Sequence, residues 1–135
     1  MKRLFNTMSL FFSAGALGGL VNGLAVWIFG ALGITAALGV QIAPELSPPF
    51  LYQKVVWGGI WGFILLVPLA EKSPWLKGLA VSLAPTLAQL LIIFPYRLHK
   101  GFLGCDLGCL TPLFVLFFNA LWGITAALWY HAVRE

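Results

Sequence analysis

Asn22, Ser82, Thr86, Gln89 and Asn119 are the residues here most able to do chemistry, and that chemistry is hydrogen bonding inside long apolar runs. Ser82, Thr86 and Gln89 stand at i, i+4 and i+7, which is one face of a helix. Asn22 shares a face with Gly15 and Gly19, and Asn119 shares one with Gly123. Amides and hydroxyls in such runs point inward and bond across helices. In a membrane these bonds average about 0.6 kcal/mol, so the cluster's first effect is to fix register. The sharper reading is a polar lining that touches a small neutral solute or the oxygen atoms of a cofactor.

Other reactive side chains are few. Cys105 and Cys109 lie in the loop His99–Cys109. The pair reads as two half-buried thiols, as a small disulfide ring if the Cα atoms come within about 7 Å, or as metal ligands with His99 and Asp106. The spacing is not a strong zinc pattern, so no metal is expected. His131 follows Trp129 and Tyr130 at the end of an apolar run. A histidine there can ligate haem or a chlorophyll, but no second histidine falls at matching depth, and an interfacial role is expected instead. No nucleophile–base pair, phosphate-binding loop or carboxylate pair is visible. Neither an enzyme nor a cofactor is expected.

The elements that carry these residues are set by the absence of charge. No charged residue lies between Arg3 and Glu45, and residues 55–70, 78–96 and 107–133 carry none. A bilayer core is about 30 Å thick and needs roughly 20 apolar residues in a helix. Lone strands cannot satisfy their backbone in hydrocarbon, so the spans are helical. The 135 residues are 61% hydrophobic and 9% charged, against about 25% charged in soluble domains. The pattern predicts an all-α fold: a single transmembrane domain over residues 1–135, an integral four-helix bundle with spans near 9–30, 54–70, 77–95 and 111–131. The first apolar run is too long for a signal peptide and reads as an uncleaved span.

Lysine and arginine set the expected orientation. With both termini inside, Lys2, Arg3, Lys72, Lys77 and Arg134 lie on the inner side, and Lys54, Arg97 and Lys100 on the outer. That bias favours an N-in, C-in arrangement. The net charge of +4 is scattered through caps and loops, so no nucleic acid is expected as a partner. No Asp, Glu, Lys or Arg is expected deep in a span, which argues against a proton-driven pump.

Between the first two spans, Ala31 to Ala43 is uncharged. It reads as a short interfacial helix, a re-entrant hairpin, or an extension of span one, with the interfacial helix favoured. Pro44, Pro48 and Pro49 are expected to end any helix there. Further on, Ser73 caps the third span with Pro74 at its first position, and Pro85 is expected to kink it. Gly33–Leu38 and Gly123–Leu128 share six residues, but their flanks differ and no duplication is inferred.

Small residues at helical spacing complete the pattern. Gly15, Gly19 and Gly23 form two overlapping GxxxG steps, and Gly58 and Gly62 form another. Without a Cβ, helix backbones approach closely and gain dispersion contact, the main attraction available in lipid. Such a seam serves either within one chain or between copies. Trp57 and Trp61 fit an aromatic belt or a partner's surface.

The stretches Trp75-Leu76-Lys77-Gly78-Leu79, Leu87-Ala88-Gln89-Leu90 and Phe94-Pro95 resemble part of the YagU-type bacterial inner-membrane proteins. That resemblance covers about a fifth of the chain, and it implies a multi-pass protein of the bacterial inner (plasma) membrane. The leading functional expectation is a non-catalytic accessory or assembly subunit, packed in lipid against itself as a homo-oligomer or against a larger membrane complex. The alternatives are a small oligomeric channel or facilitator for a neutral solute, lined by Asn22, Thr86, Gln89 and Asn119, and a pigment- or haem-binding subunit using His131.

Overall fold

Gly33 decides how the first helix ends. In the computed structural model, α1 runs unbroken over Lys2–Ala31, and Gly33 then takes a left-handed backbone (φ 75°) that residues with a side chain rarely adopt. The structure describes residues 2–40, 42, 44–67, 72–97, 101, 104, 108 and 110–133. A single turn, α2 (Ile34–Ala37), follows. Thr35 is buried and its hydroxyl donates to the Ile42 carbonyl at 2.9 Å, while Val40 is buried against Val26, Phe114 and Phe118. The segment after Gly33 thus folds back over the end of the bundle and does not lengthen α1.

α3 covers Pro48–Trp61. Ser47 caps it, accepting from the Phe50 N–H at 3.3 Å, with proline at the first helical position. Here the sequence expectation is corrected: Pro48 and Pro49 open a helix and do not end one. A proline at the first position loses no bond, because those N–H groups have no partner inside the helix. α3 then tightens into a 3₁₀ turn, Gly62–Leu66.

α4 (Pro74–Ala88) starts in the same way, with Ser73 accepting from the Leu76 N–H at 3.4 Å. Pro85 lies inside it, and one turn later the helix continues as a π-helical stretch, Gln89–Arg97. The hydroxyl of Thr86 donates to the Ser82 carbonyl at 2.7 Å beside the proline, where the backbone ladder lacks a donor. α5 covers Thr111–Val133.

The fold is all-helical, with no strand among the described residues. Three helices, Lys2–Ala31, Pro74–Tyr96 and Thr111–Val133, are long and apolar enough to cross a membrane. Many large apolar side chains face outward, among them Trp57, Leu66, Leu83, Ile92 and Leu113. That surface fits lipid far better than water.

The contacts fix the directions of the helices. Gly15 meets Gly62, Gly19 meets Gly58, and Gly23 meets Lys54, so α1 and α3 are antiparallel. Phe11 stacks on Tyr130 at 4.9 Å and Phe29 meets Phe114 edge-on at 6.4 Å, so α1 and α5 are antiparallel. Gly78 meets Gly123, and Leu90 and Phe94 pack on Val115, so α4 and α5 are antiparallel too. The start of α1 and the end of α5 therefore share one end of the bundle. α1 and α5 form its middle, with α3 and α4 on their flanks.

The two ends are packed differently. At the end nearer the chain termini, Phe11, Ala14, Leu65, Val81, Trp122 and Ala126 form one buried cluster that joins all four long elements. Lys77 is buried there, and its Nζ donates to the Val67 carbonyl at 3.2 Å. At the other end the elements part around a cavity.

Candidate solute-binding site

A cavity of about 420 Å³ lies between α1, α3, α5 and the π-helical stretch. Val26, Phe50, Phe94, Val115 and Phe118 make its walls apolar, and Ile42 and Pro44 border it from the loop. Four polar side chains reach it: Asn22, Lys54, Gln89 and Asn119. Binding sites for small molecules are typically clefts of about 300–1,000 Å³ with this mixture, mostly apolar with a few convergent polar groups.

The amides come from three elements and bond in sequence. Asn22 Nδ2 on α1 donates to the Phe118 carbonyl at 2.8 Å and to Asn119 Oδ1 at 3.4 Å. Asn119 Nδ2 on α5 donates to Thr86 Oγ1 at 3.1 Å and to Gln89 Oε1 at 3.4 Å. Thr86 passes the chain on to the Ser82 carbonyl. Ser82 takes part only through that carbonyl, because its own hydroxyl donates to the Leu79 carbonyl at 2.7 Å. In a π-helix the bonds run from i to i+5, so Gln89 and Phe94 come onto the same wall of the cavity.

One atom of the network is left over. Asn22 Oδ1 is buried and accepts no hydrogen bond. The amide cannot turn over to bring that oxygen to the Phe118 carbonyl, since two acceptors would then meet.

The structure sets Lys54 inside α3, beside the cavity. The charge pattern alone sets it at the outer edge of a span starting at residue 54. The cap at Ser47 starts the helix earlier, and Lys54 lies six residues beyond Pro48, about 9 Å along the axis. Its Nζ stands 5.7 Å from the centre of the Phe50 ring. It makes no hydrogen bond or ion pair with any described residue.

The glycines form seams within this one chain. A Cβ on Gly58 would stand 2.6 Å from the Gly15 carbonyl oxygen and 2.8 Å from the Gly19 Cα. A Cβ on Gly62 would stand 2.9 Å from the Gly15 Cα, and one on Gly23 would meet Lys54 Cγ at 3.0 Å. A second seam had no GxxxG signal: Gly78 on α4 packs on Gly123 of α5. Gly18 likewise yields to Trp122.

Trp122 is the other residue that sequence reasoning missed. It is buried, and its indole N–H donates to the Gly15 carbonyl at 3.1 Å and the Gly58 carbonyl at 3.4 Å. It therefore ties α5 to the α1–α3 seam directly below the amides. Its position one turn after Asn119 was the available signal. Trp61, by contrast, packs against the buried cluster, whereas Trp57 faces outward.

His131 is exposed in the last turn of α5, 12 residues and about 18 Å from Asn119. His99, Cys105, Asp106 and Cys109, and with them the disulfide and metal readings, lie outside the described residues. Among the described residues no group of three His, Cys, Asp or Glu side chains is placed to hold a metal.

No family model, curated protein or solved structure matches the chain.

Proposed function

We propose that the chain is a multi-pass protein of the bacterial inner membrane that binds a small solute in this cavity and serves as a facilitator for it. The observation that carries the reading is the apolar cavity bordered by Asn22, Lys54, Gln89 and Asn119. Helix packing alone does not call for a lysine there, and Lys54 brings its ammonium to the cavity with no hydrogen bond or ion pair among the described residues.

In this reading Pro48–Leu66 is the fourth crossing. Its 14 α-helical and 5 3₁₀ residues rise about 31 Å, enough for the hydrocarbon core. The lysine and arginine bias supports both termini inside, and the resemblance to the YagU-type proteins supports the bacterial inner membrane. The cavity then faces outward. Transit requires the cluster around Trp122 to rearrange, as in alternating access.

Proteoliposome flux tests this. Purified protein is expected to speed the passage of at least one small polar solute over protein-free vesicles, and Gln89→Leu with Asn119→Leu to abolish the gain. Passage unchanged by the double substitution removes the facilitator.

A second reading is an accessory subunit, and the outer face of α3 favours it. Tyr52, Trp57 and Ile60 stand 71%, 55% and 46% exposed on that helix, and aromatic side chains are enriched where proteins meet. Blue-native electrophoresis from native membranes tests it: migration as a lone monomer counts against both a homo-oligomer and a larger complex.

A further inference from the structure

The cavity carries one uncompensated charge. Among the described residues, Lys54 is the only ionisable side chain that lines it, and the ammonium has no hydrogen bond or ion pair there. Glu45, the only acidic residue among those described, is exposed and does not line the cavity. The amides are placed differently. Asn119 accepts from Asn22 and donates to Thr86 and Gln89, so their polar demand is met largely within the protein. The unpartnered Asn22 Oδ1 is buried and closed to a ligand. Charge is therefore what the site has left to offer. The lysine stem is also held in place. It crosses α1 at Gly23, where a Cβ would lie 3.0 Å from Lys54 Cγ and 3.3 Å from its Cβ. The Phe50 ring, 5.7 Å from Nζ, attracts a cation through its quadrupole but brings no negative charge.

An ammonium in an apolar space is compensated by an anion. The walls around it, from Val26, Ile42, Phe94, Val115 and Phe118, are aliphatic and aromatic. One cation neutralises one negative charge. A second charge on the ligand would lie against those walls with no counter-ion among the described residues. We propose, resting on the solute-site reading above, that the cavity binds a singly charged organic anion with an apolar body. The anionic oxygens pair with the Lys54 ammonium, and the apolar part lies against Phe94, Val115 and Phe118. A neutral solute leaves the ammonium desolvated without compensation, and a dianion buries a charge of its own. Monocarboxylates with a ring or a short chain have this chemistry. So does phosphatidylglycerol, with its single phosphodiester charge.

The test uses the full chain in phosphatidylcholine nanodiscs, with empty discs subtracted. At neutral pH, 4-ethylbenzoate, 4-ethylbenzamide and terephthalate carry one, no and two negative charges on the same ring. Their binding is followed by ligand-detected NMR titration. The monoanion is expected to bind at least tenfold more tightly than either of the others, a ranking that needs no variant. Lys54→Met removes the charge and keeps an apolar stem. It is expected to weaken the monoanion at least tenfold and to leave the amide within twofold, while Lys54→Arg keeps most of the wild-type affinity. Should Lys54→Met lose the amide too, Lys54→Arg decides: a preference for the monoanion kept there supports the inference, and one lost there overturns it. A parallel arm adds phosphatidylglycerol to the discs and reads retained lipid by native mass spectrometry. Lipid that displaces 4-ethylbenzoate, kept by the wild type and lost from Lys54→Met, identifies a headgroup as the source of the anion. Undisturbed binding of 4-ethylbenzoate identifies a free solute. Equal affinity for acid and amide, a dianion bound as tightly as the monoanion, or a preference for the acid that survives in Lys54→Met overturns the inference and leaves the solute site standing. Failure of all three probes to bind also overturns it, and the solute site falls with it only if the proteoliposome flux fails as well.

Discussion

Asn119 sits between Asn22 and Thr86, accepting from the first at 3.4 Å and donating to the second at 3.1 Å. A single amide on α5 therefore holds α1 and α4 in register through its two ends. The helices could slide by a turn on apolar contacts alone, because lipid competes with any apolar surface. The pairing of amides removes that freedom.

Replacing Asn119 with Leu is expected to cost more than replacing Asn22. Asn119 serves three partners, Asn22, Thr86 and Gln89, whereas Asn22 loses two donor bonds and relieves its unpartnered oxygen. A double-mutant cycle on the pair, read by thermal unfolding in detergent, should return a coupling of about 0.6 kcal/mol. Strict additivity would show that the two amides do not interact.

Trp122→Phe keeps the ring and removes the N–H that reaches the Gly15 and Gly58 carbonyls. The expected loss is about 1 kcal/mol of stability. Both carbonyls also lie within helices, so they keep backbone partners and no orphan acceptor adds to the cost. Trp122→Ala is expected to lose about 3–5 kcal/mol through the cavity it leaves.

Gly78→Ala places a Cβ 2.6 Å from the Gly123 carbonyl oxygen and the Ile124 Cα. Both are backbone atoms and cannot turn aside, so the α4–α5 seam must open. A loss of about 1–3 kcal/mol is expected. For Gly59→Ala the nearest atoms to the new Cβ all belong to the ring of Phe12, the first at 2.6 Å. That ring is partly exposed and can rotate away, so the variant should unfold close to the wild type. Similar losses for the two glycines would contradict this account of the seam.

Orientation is open to labelling in a background where Cys105 and Cys109 are replaced by Ser. A cysteine in place of Glu45 should react with an impermeant maleimide in intact cells. One in place of Ser73 should react only after permeabilisation. The opposite pattern would invert the bundle and turn the cavity inward.

Much of the frame was legible in the sequence. The charge-free runs located apolar helices, and the GxxxG steps marked glycines that do meet another backbone, but the spacing left open whether that partner lay in the same chain. Other features depended on applying a local rule evenly. Ser73-Pro74 signals a helix start, and Ser47-Pro48 carries the same signature, although prolines after an uncharged run also fit a helix stop. That ambiguity hid Lys54, which the earlier start draws into the cavity wall. The Gly78–Gly123 contact could not be read from either helix, since each contributes one glycine and the match exists only in three dimensions. The π-helical stretch was equally hidden. Pro85 announces a break in the ladder, but not the wider turns that set Gln89 and Phe94 on one wall.

The uneven packing of the bundle makes it a one-sided cup. Phe11, Leu65, Val81 and Trp122 form a solid base, and the open half lies beyond the amides. In the membrane arrangement proposed above, the protein would sample the contents of a single compartment and be blind to the other. A concentration gradient across the membrane would therefore register as occupancy of the cup before it produced any flow, so the same architecture would serve a sensor as readily as a conduit.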